Sequence, residues 1–272
     1  AFPRVNHHAL LIKLLKRKVP ISFVDLIDDW LQRSTSKVKW CGHLSDNFSL
    51  RTGINQGSVL APALFAIVLN DCLVACNRLN IGAVLVYADD ILIIARSRQL
   101  LQVLFNAIEF EVNLCNLEFN VDKCCSLRIG PRFSSPCATI VAAGGSTIKW
   151  VNCCRYLGVF LLQGTKFQCS MDHAKRSFNK AANAIFSKVL GVASEELVLH
   201  LLKVKCIPIL LYATEVLELK NSILQSLDFS VIRFGMKLFK TGNRNIVLHC
   251  FSYSNFGMPS ALVLDRKNNF IR

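Results

Sequence analysis

The chain has 272 residues, 52% hydrophobic and 18% charged, with Lys+Arg 32 against Asp+Glu 18 and a formal net charge of +14. That much apolar content excludes a solvated low-complexity polymer, and the positive excess points to partners built of phosphate rather than to acid-seeking ones. A mean hydropathy of +0.38 raises the membrane question. The two most apolar runs answer it, because 59–76 contains Pro62, Asn70 and Asp71 and 81–95 carries Asp89 and Asp90 at its centre, so no transmembrane span is expected.

The opening residues lack a basic segment followed by an apolar stretch and a small-residue cleavage site, so no signal peptide is expected and the setting is read as intracellular, nucleus and cytoplasm undistinguished. From 8 to 17, Leu10, Leu11, Leu14 and Leu15 recur at helical spacing until Pro20 stops the run, and 21–32 reads as a second helix. Strands over 37–41 and 48–52 flank a polar turn at Ser45, Asp46 and Asn47. Ser58 can cap an apolar helix reaching about Cys76, with Pro62 in its first turn, where a missing N–H costs little.

Next, 83–95 holds two β-branched apolar runs that meet at Asp89 and Asp90, the pattern of a hairpin with carboxylates at its tip. A helix after Ser97 places Leu101, Leu104, Phe105, Ile108 and Val112 on one face, able to pack under the hairpin. Strand-like pieces follow at 125–129, 138–142 and 155–162, and beyond Phe167 the pattern becomes purely helical. The expected class is α+β, with a mixed domain over 1–162 and a helical region over 163–272. No two of the twelve cysteines are spaced C-x-x-C, and they read as buried free thiols; Trp40 and Trp150 read as core or interface residues.

Two adjacent acids in an apolar hairpin repel each other unless a cation neutralises them, and hard Mg²⁺, which takes one or two carboxylates plus phosphate oxygens, is the natural candidate. An ordinary solvated Asp-Asp turn is the plain alternative. Context bears on the choice. Tyr87-Ala88-Asp89-Asp90 resembles the Tyr-Ala-Asp-Asp box of reverse transcriptases, and other segments match that family's boxes in order. The stretch 53–65, with Gly53, Gln56, Gly57, Leu60, Pro62, Leu64 and Phe65, resembles Gly-x-x-Gln-Gly-x-x-Leu-Ser-Pro-x-Leu-Phe, Ala61 standing where Ser is usual. Leu117, Asn120 and Lys123 resemble Leu-x-x-Asn-x-x-Lys, and Tyr156-Leu157-Gly158 resembles the segment that grips the primer. The residues 1–7 are similar to the Ala-Phe-Asp-x-Val-Asn-His of non-LTR (LINE-like) retrotransposons, with Pro3 in place of Asp.

The resemblance implies a right-hand polymerase palm, a small antiparallel sheet backed by helices, followed by a helical thumb. It implies RNA-directed DNA synthesis, a template-directed nucleotidyl transfer by two-metal chemistry, on an RNA template with a DNA primer and deoxynucleoside triphosphates, using Mg²⁺ or Mn²⁺. Asp89 and Asp90 would hold the metal, Lys123 would assist the leaving pyrophosphate, and Gln56, Gly57, Tyr87 and Ala88 would meet the nucleotide. Tyr156, Leu157 and Gly158 would contact the primer, and Arg176, Lys180 and Lys188, at multiples of four residues, would follow template-primer phosphates unless they form only a solvated helix face. The family's fingers region and first metal-binding Asp would lie ahead of residue 1, so the isolated polypeptide is expected to be inactive or nearly so. The rival expectation is a catalytically dead retroelement remnant that acts only as a basic RNA-binding module.

Overall fold

A computed structural model describes residues 2–55, 57–189 and 193–271, apart from the side chains at 72 and 75–77. It contains two compact units, Ala1–Ser126 with Ser135–Trp150, and Leu127–Ser134 with Val151–Arg272.

The first unit begins with a 3-10 turn at Phe2–Arg4, then α1 (His7–Lys16), α2 (Ile21–Gln32), short strands β1 (Thr35–Ser36), β2 (Lys39–Trp40), β3 (His43–Leu44) and β4 (Phe48–Ser49), and α3 (Ala61–Leu79). It continues with β5 (Gly82–Tyr87), β6 (Asp90–Ala95), α4 (Arg98–Leu114), a 3-10 turn at Val121–Lys123, β7 (Cys125–Ser126), β8 (Ile140–Val141) and β9 (Thr147–Trp150). Local chemistry sets the ends of these elements. The Asn6 side chain accepts from the Ala9 N–H at the start of α1, and Ser97 does the same for Leu100 at the start of α4.

Helix α3 starts at Ala61, three residues beyond Ser58, which therefore does not occupy the expected N-cap position, and it runs to Leu79; Pro62 falls in its first turn as expected. The strand pair expected over 37–41 and 48–52 is instead two nested pairs, β1 with β4 and β2 with β3. The inner reversal falls at Cys41 (φ 46) and Gly42 (φ 85) rather than at Ser45 to Asn47, because two positive-φ residues suit the two-residue turn that follows strand twist. Trp40 rides on this reversal at 77% exposure and is not a core residue.

The core of this unit explains where the acidic hairpin sits. Leu10 and Leu14 of α1, Leu64, Phe65 and Val68 of α3, Val84 of β5, and Leu104, Ile108 and Val112 of α4 form one buried cluster. Phe2 stacks on Phe65 with ring centroids 4.3 Å apart. The cluster also closes around a charged group. The Lys13 ammonium donates to the Val68 carbonyl at 2.6 Å and pairs with Asp71 at 2.9 Å, its side chain only 12% exposed. Burial pulls its pKa down, but the Asp71 hydrogen bond and charge, with a contribution from Cys115, outweigh burial and leave it above the ordinary lysine value. A group raised in the folded state stabilises while both states are protonated, and that contribution is lost as pH climbs through the raised value. Lys13→Met is therefore expected to melt below wild type from neutral pH to about pH 10, with the gap closing above it; a gap constant to pH 11 would contradict this.

The second unit opens on the antiparallel sheet β10 (Cys153–Tyr156), β11 (Val159–Leu162) and β12 (Gln168–Ser170). The single strand expected over 155–162 is thus a hairpin, and a third strand, β12, comes before the helices. Then follow α5 (Asp172–Val189), α6 (Glu195–Leu201), a π-helical turn at Leu202–Cys206, α7 (Ile207–Leu210), α8 (Asn221–Leu238), α9 (Arg244–Tyr253) and α10 (Pro259–Ile271). Pro208 lacks the N–H that an α-helix would direct to Val204, which accounts for the widened turn just before it. Phe178, Phe186, Leu202, Leu210, Val231 and Phe251 centre the helical core.

Of the cysteines, Cys115, Cys169 and Cys206 are buried as expected, whereas Cys41, Cys125 and Cys153 are exposed free thiols. Among the described residues no helix is long and apolar enough to cross a membrane.

Candidate functional site

The hairpin β5–β6 pairs Tyr87 with Asp90, so Ala88 and Asp89 form a two-residue turn. Ala88 has φ 51, the left-handed region that a β-carbon disfavours by roughly 1–2 kcal/mol. A strained residue persists only where its surroundings hold it, and here the holding is done by the strands. One face of the hairpin, with Val84, Val86, Ile91 and Ile93, belongs to the buried cluster over α3 and α4. The pairs Leu85 with Leu92 and Tyr87 with Asp90 fall on the other face by strand alternation. Tyr87, Ala88, Asp89 and Asp90 are all exposed. Neither carboxylate enters any of the ion pairs or side-chain hydrogen bonds found among the described residues. The apolar runs expected to surround the acids therefore bury only one side of the hairpin, and the acids themselves face solvent.

Two unengaged carboxylates suit a hard cation that completes its shell with phosphate oxygens and water. Among the described residues no group of three or more His, Cys, Asp or Glu is placed to hold a metal ion, and the acids at this turn are Asp89 and Asp90.

Gly57 lies in the same compact unit with φ 91, and a β-carbon there would meet nothing within 4 Å. Its glycine is needed for the backbone conformation, and the space before it is open. Gln56 lies outside the described residues. The approach to this box is clasped by the chain's first residues. The His7 Nε2–H donates to the Gly53 carbonyl at 2.7 Å, and the Gly53 N–H donates to Val5 at 2.8 Å. A β-carbon on Gly53 would fall 2.6 Å from the Pro3 carbonyl oxygen, so only glycine fits the crossing. His7 thus has a positioning contact that spacing could not reveal.

Lys123 also belongs to the first unit and is exposed. Leu117 is buried, Asn120 Oδ1 accepts from the Lys123 N–H at 3.3 Å, and Phe119 and Val121 pack in a cluster with Ile93 of β6. The Leu-x-x-Asn-x-x-Lys spacing is thus an anchor, a cap and a presented ammonium, set on the strand that starts with Asp90.

Tyr156, Leu157, Gly158, Arg176, Lys180 and Lys188 belong to the second unit. Leu157 (φ 45) and Gly158 (φ 83) make the turn between β10 and β11, with Tyr156 paired to Val159. Tyr212, just beyond α7, braces this turn: its hydroxyl donates to the Leu157 carbonyl at 3.0 Å, and a β-carbon on Gly158 would lie 2.9 Å from Tyr212 Cε1. No signal near Tyr156 points to a residue so far along the chain. On α5, Arg176, Lys180 and Lys188 are exposed. At 3.6 residues per turn Lys180 lies about 40° and Lys188 about 120° around the helix from Arg176, so they form a winding stripe rather than one line. Asp172, at the start of this helix, is held below the usual carboxylate range by its hydrogen bond and charge pairing with Lys175, helped by Ser170.

Curated proteins share this sequence at modest identity. A Retrovirus-related Pol polyprotein from the type-2 retrotransposable element R2DM of Drosophila melanogaster is 26% identical over 185 residues, 62% of this chain and 17% of that protein. RNA-directed DNA polymerases from the mobile element jockey are 26% identical over 188 residues in Drosophila melanogaster and 30% over 189 residues in Drosophila funebris, each match covering 65% of this chain and 20% of the relative. The matches thus span about one-fifth of the length of these relatives. Residues 1–161 match the family described as Reverse transcriptase (RNA-dependent DNA polymerase), well over half of the 272 residues, and the chain belongs to that family.

Proposed function

We propose that this chain carries the palm of an RNA-directed DNA polymerase of a retrotransposon, palm-like over 1–162 and thumb-like over 163–272, with Asp89 and Asp90 as its metal-holding residues. The pair of exposed, unengaged carboxylates on a turn held by packed strands is the observation that supports this most. Asp89 and Asp90, as hard oxygen donors, would hold a divalent ion, Mg²⁺ or Mn²⁺. A bound divalent ion supplies neutralisation of phosphate charge and activation of the primer 3′-hydroxyl.

The rest is the work of the chain's own groups. Gln56 and Gly57 would meet the incoming nucleotide, together with Tyr87 and Ala88. The Lys123 ammonium neutralises, or gives a proton to, the departing pyrophosphate. Tyr156, Leu157 and Gly158 hold the primer strand, with Tyr212 keeping their turn in place, and Arg176, Lys180 and Lys188 draw in template-primer phosphates. The substrates are an RNA template, a DNA primer and deoxynucleoside triphosphates. Membership of the polymerase family does not favour the rival reading of a purely RNA-binding remnant.

Without the first metal-binding Asp that the resemblance implies, Asp89 and Asp90 give less of the charge compensation that two-metal transfer depends on, and each roughly 1.4 kcal/mol lost costs tenfold in rate. A polypeptide of these 272 residues is therefore expected to give no extension above background on poly(A) primed with oligo(dT), even with Mg²⁺, while Mg²⁺ and dTTP together raise its melting temperature. Vigorous extension would overturn the expected inactivity. The absence of stabilisation by every deoxynucleoside triphosphate with Mg²⁺ or Mn²⁺ would overturn the polymerase-site reading itself.

A further inference from the structure

Between α5 and α8 runs an open groove of about 520 Å³, lined by Asp172, Lys175, Arg176 and Asn179 from one helix and Ser226, Phe229 and Ser230 from the other. Phe229 is the unexpected member. The core-facing positions of α8 include Leu227, Val231, Ile232, Phe234, Gly235 and Leu238. At 3.6 residues per turn, position 229 falls nearly opposite 227, 231 and 238, so core packing does not account for a phenyl ring there, and the ring is 57% exposed.

The setting of the ring is polar, cationic and braced. The Lys175 ammonium joins the two helices, pairing with Asp172 at 2.9 Å and donating to Ser226 Oγ at 3.1 Å. Arg176 enters no ion pair found among the described residues, and its Nε makes only a long contact, 3.4 Å, to the Asp172 carbonyl. Further along the same helices, Lys237 donates to Asn183 at 3.1 Å and lies 4.4 Å from the Phe186 ring. Exposed Arg233 lies one turn beyond Phe229. Along this stripe Lys175, Arg176, Arg233 and Lys237 face a single acid, Asp172.

We propose that this groove binds an unpaired nucleotide strand, one base stacking on Phe229, its phosphates met by Arg176 and its edges by Asn179 and Ser230. An exposed aromatic set among cations and hydroxyls is what single-stranded nucleic acid requires, because every base has a face to stack while only phosphates need positive charge. A paired base hides its face in the duplex, so the site discriminates strand from helix. This deepens the Proposed function and rests on its nucleic-acid reading, adding an unpaired strand to the template-primer duplex assigned there to Arg176, Lys180 and Lys188.

The test measures binding of labelled twelve-nucleotide oligo(U), oligo(dT) and an oligo(A)·oligo(dT) hybrid to the full chain by fluorescence anisotropy. Phe229→Ala is expected to weaken one or both single strands by about ten- to a hundredfold and the hybrid by less than twofold, with Phe229→Trp restoring strand binding. The two strand arms tell RNA from DNA. Ser230→Glu, which places negative charge in the groove, is expected to weaken strand binding as well and covers the case in which Phe229→Ala does not fold. Arg176→Ala is expected to lower the salt slope by about one. If Phe229→Ala and Ser230→Glu leave strand affinity within twofold while the hybrid still binds wild type, the groove proposal is wrong and the polymerase reading stands. If wild type binds neither strand nor hybrid, the nucleic-acid reading falls with it. A wild-type dimer that Phe229→Ala dissociates, without strand binding, would assign the groove to a protein contact instead.

Discussion

Asp89→Ala is expected to abolish the joint stabilisation by Mg²⁺ and a deoxynucleoside triphosphate while leaving the unliganded melting temperature almost unchanged. The Asp89 side chain is exposed and enters no ion pair found among the described residues, so its removal takes away no folded-state contact and falls in the class of surface changes within about 0.5 kcal/mol. The ligand-dependent change is much larger. A nucleotide at a hundred times its dissociation constant stabilises by about 2.7 kcal/mol, and all of it is lost if the cation that joins triphosphate to protein has no anchor. Asp90→Ala is expected to reduce the stabilisation without abolishing it, because Asp90, which starts β6 opposite Tyr87, is proposed as the weaker of the two donors. Thermal melts of the three proteins with and without Mg²⁺ and dTTP decide the matter. Equal ligand-induced shifts in wild type and Asp89→Ala would remove the hairpin from the nucleotide site.

Gly235→Val is expected to cost about 3 kcal/mol or more and to lower the melting transition of the second unit by on the order of 10 °C. Gly235 lies in α8 where α9 crosses it, and a β-carbon there would fall 2.5 Å from Val247 Cγ1 and 2.6 Å from Phe251 Cζ. Both neighbours are fully buried, so neither has space to move into. The alanine variant decides between packing and propensity. In a helix with room, Gly→Ala gains about 1 kcal/mol, whereas close approach reverses the sign. Calorimetry showing Gly235→Ala to be stabilising would mean that the two helices can separate at no cost.

These two expectations draw on different sources. The hairpin over 83–95 and its acidic tip were legible because two β-branched apolar runs meet at two acids, and the spans of α1 and α4 followed from period-3.6 stripes bounded by Pro20 and Ser97. The family boxes were legible because each is a local device: Asn120 caps the turn that presents Lys123, and Gly57 supplies a conformation other residues avoid. The break of 155–162 into two strands was not. It depends on Leu157 adopting φ 45, which a leucine does not advertise and which the Tyr212 hydroxyl helps to hold. The close crossing at Gly235 likewise cannot be read from a lone glycine in a helical pattern, since its neighbours come from α9.

The amino-acid order by itself determined the class of elements, the acid pair at a hairpin tip and the family to which the chain belongs, because periodicity and short motifs act over a few residues. Only the tertiary structure decided which side of that hairpin is buried, that the carboxylates are exposed, that His7 clasps Gly53, and that Phe229 lines a cationic groove. Each of these depends on which surfaces distant segments cover, and burial is a property of the assembled chain rather than of any stretch of it.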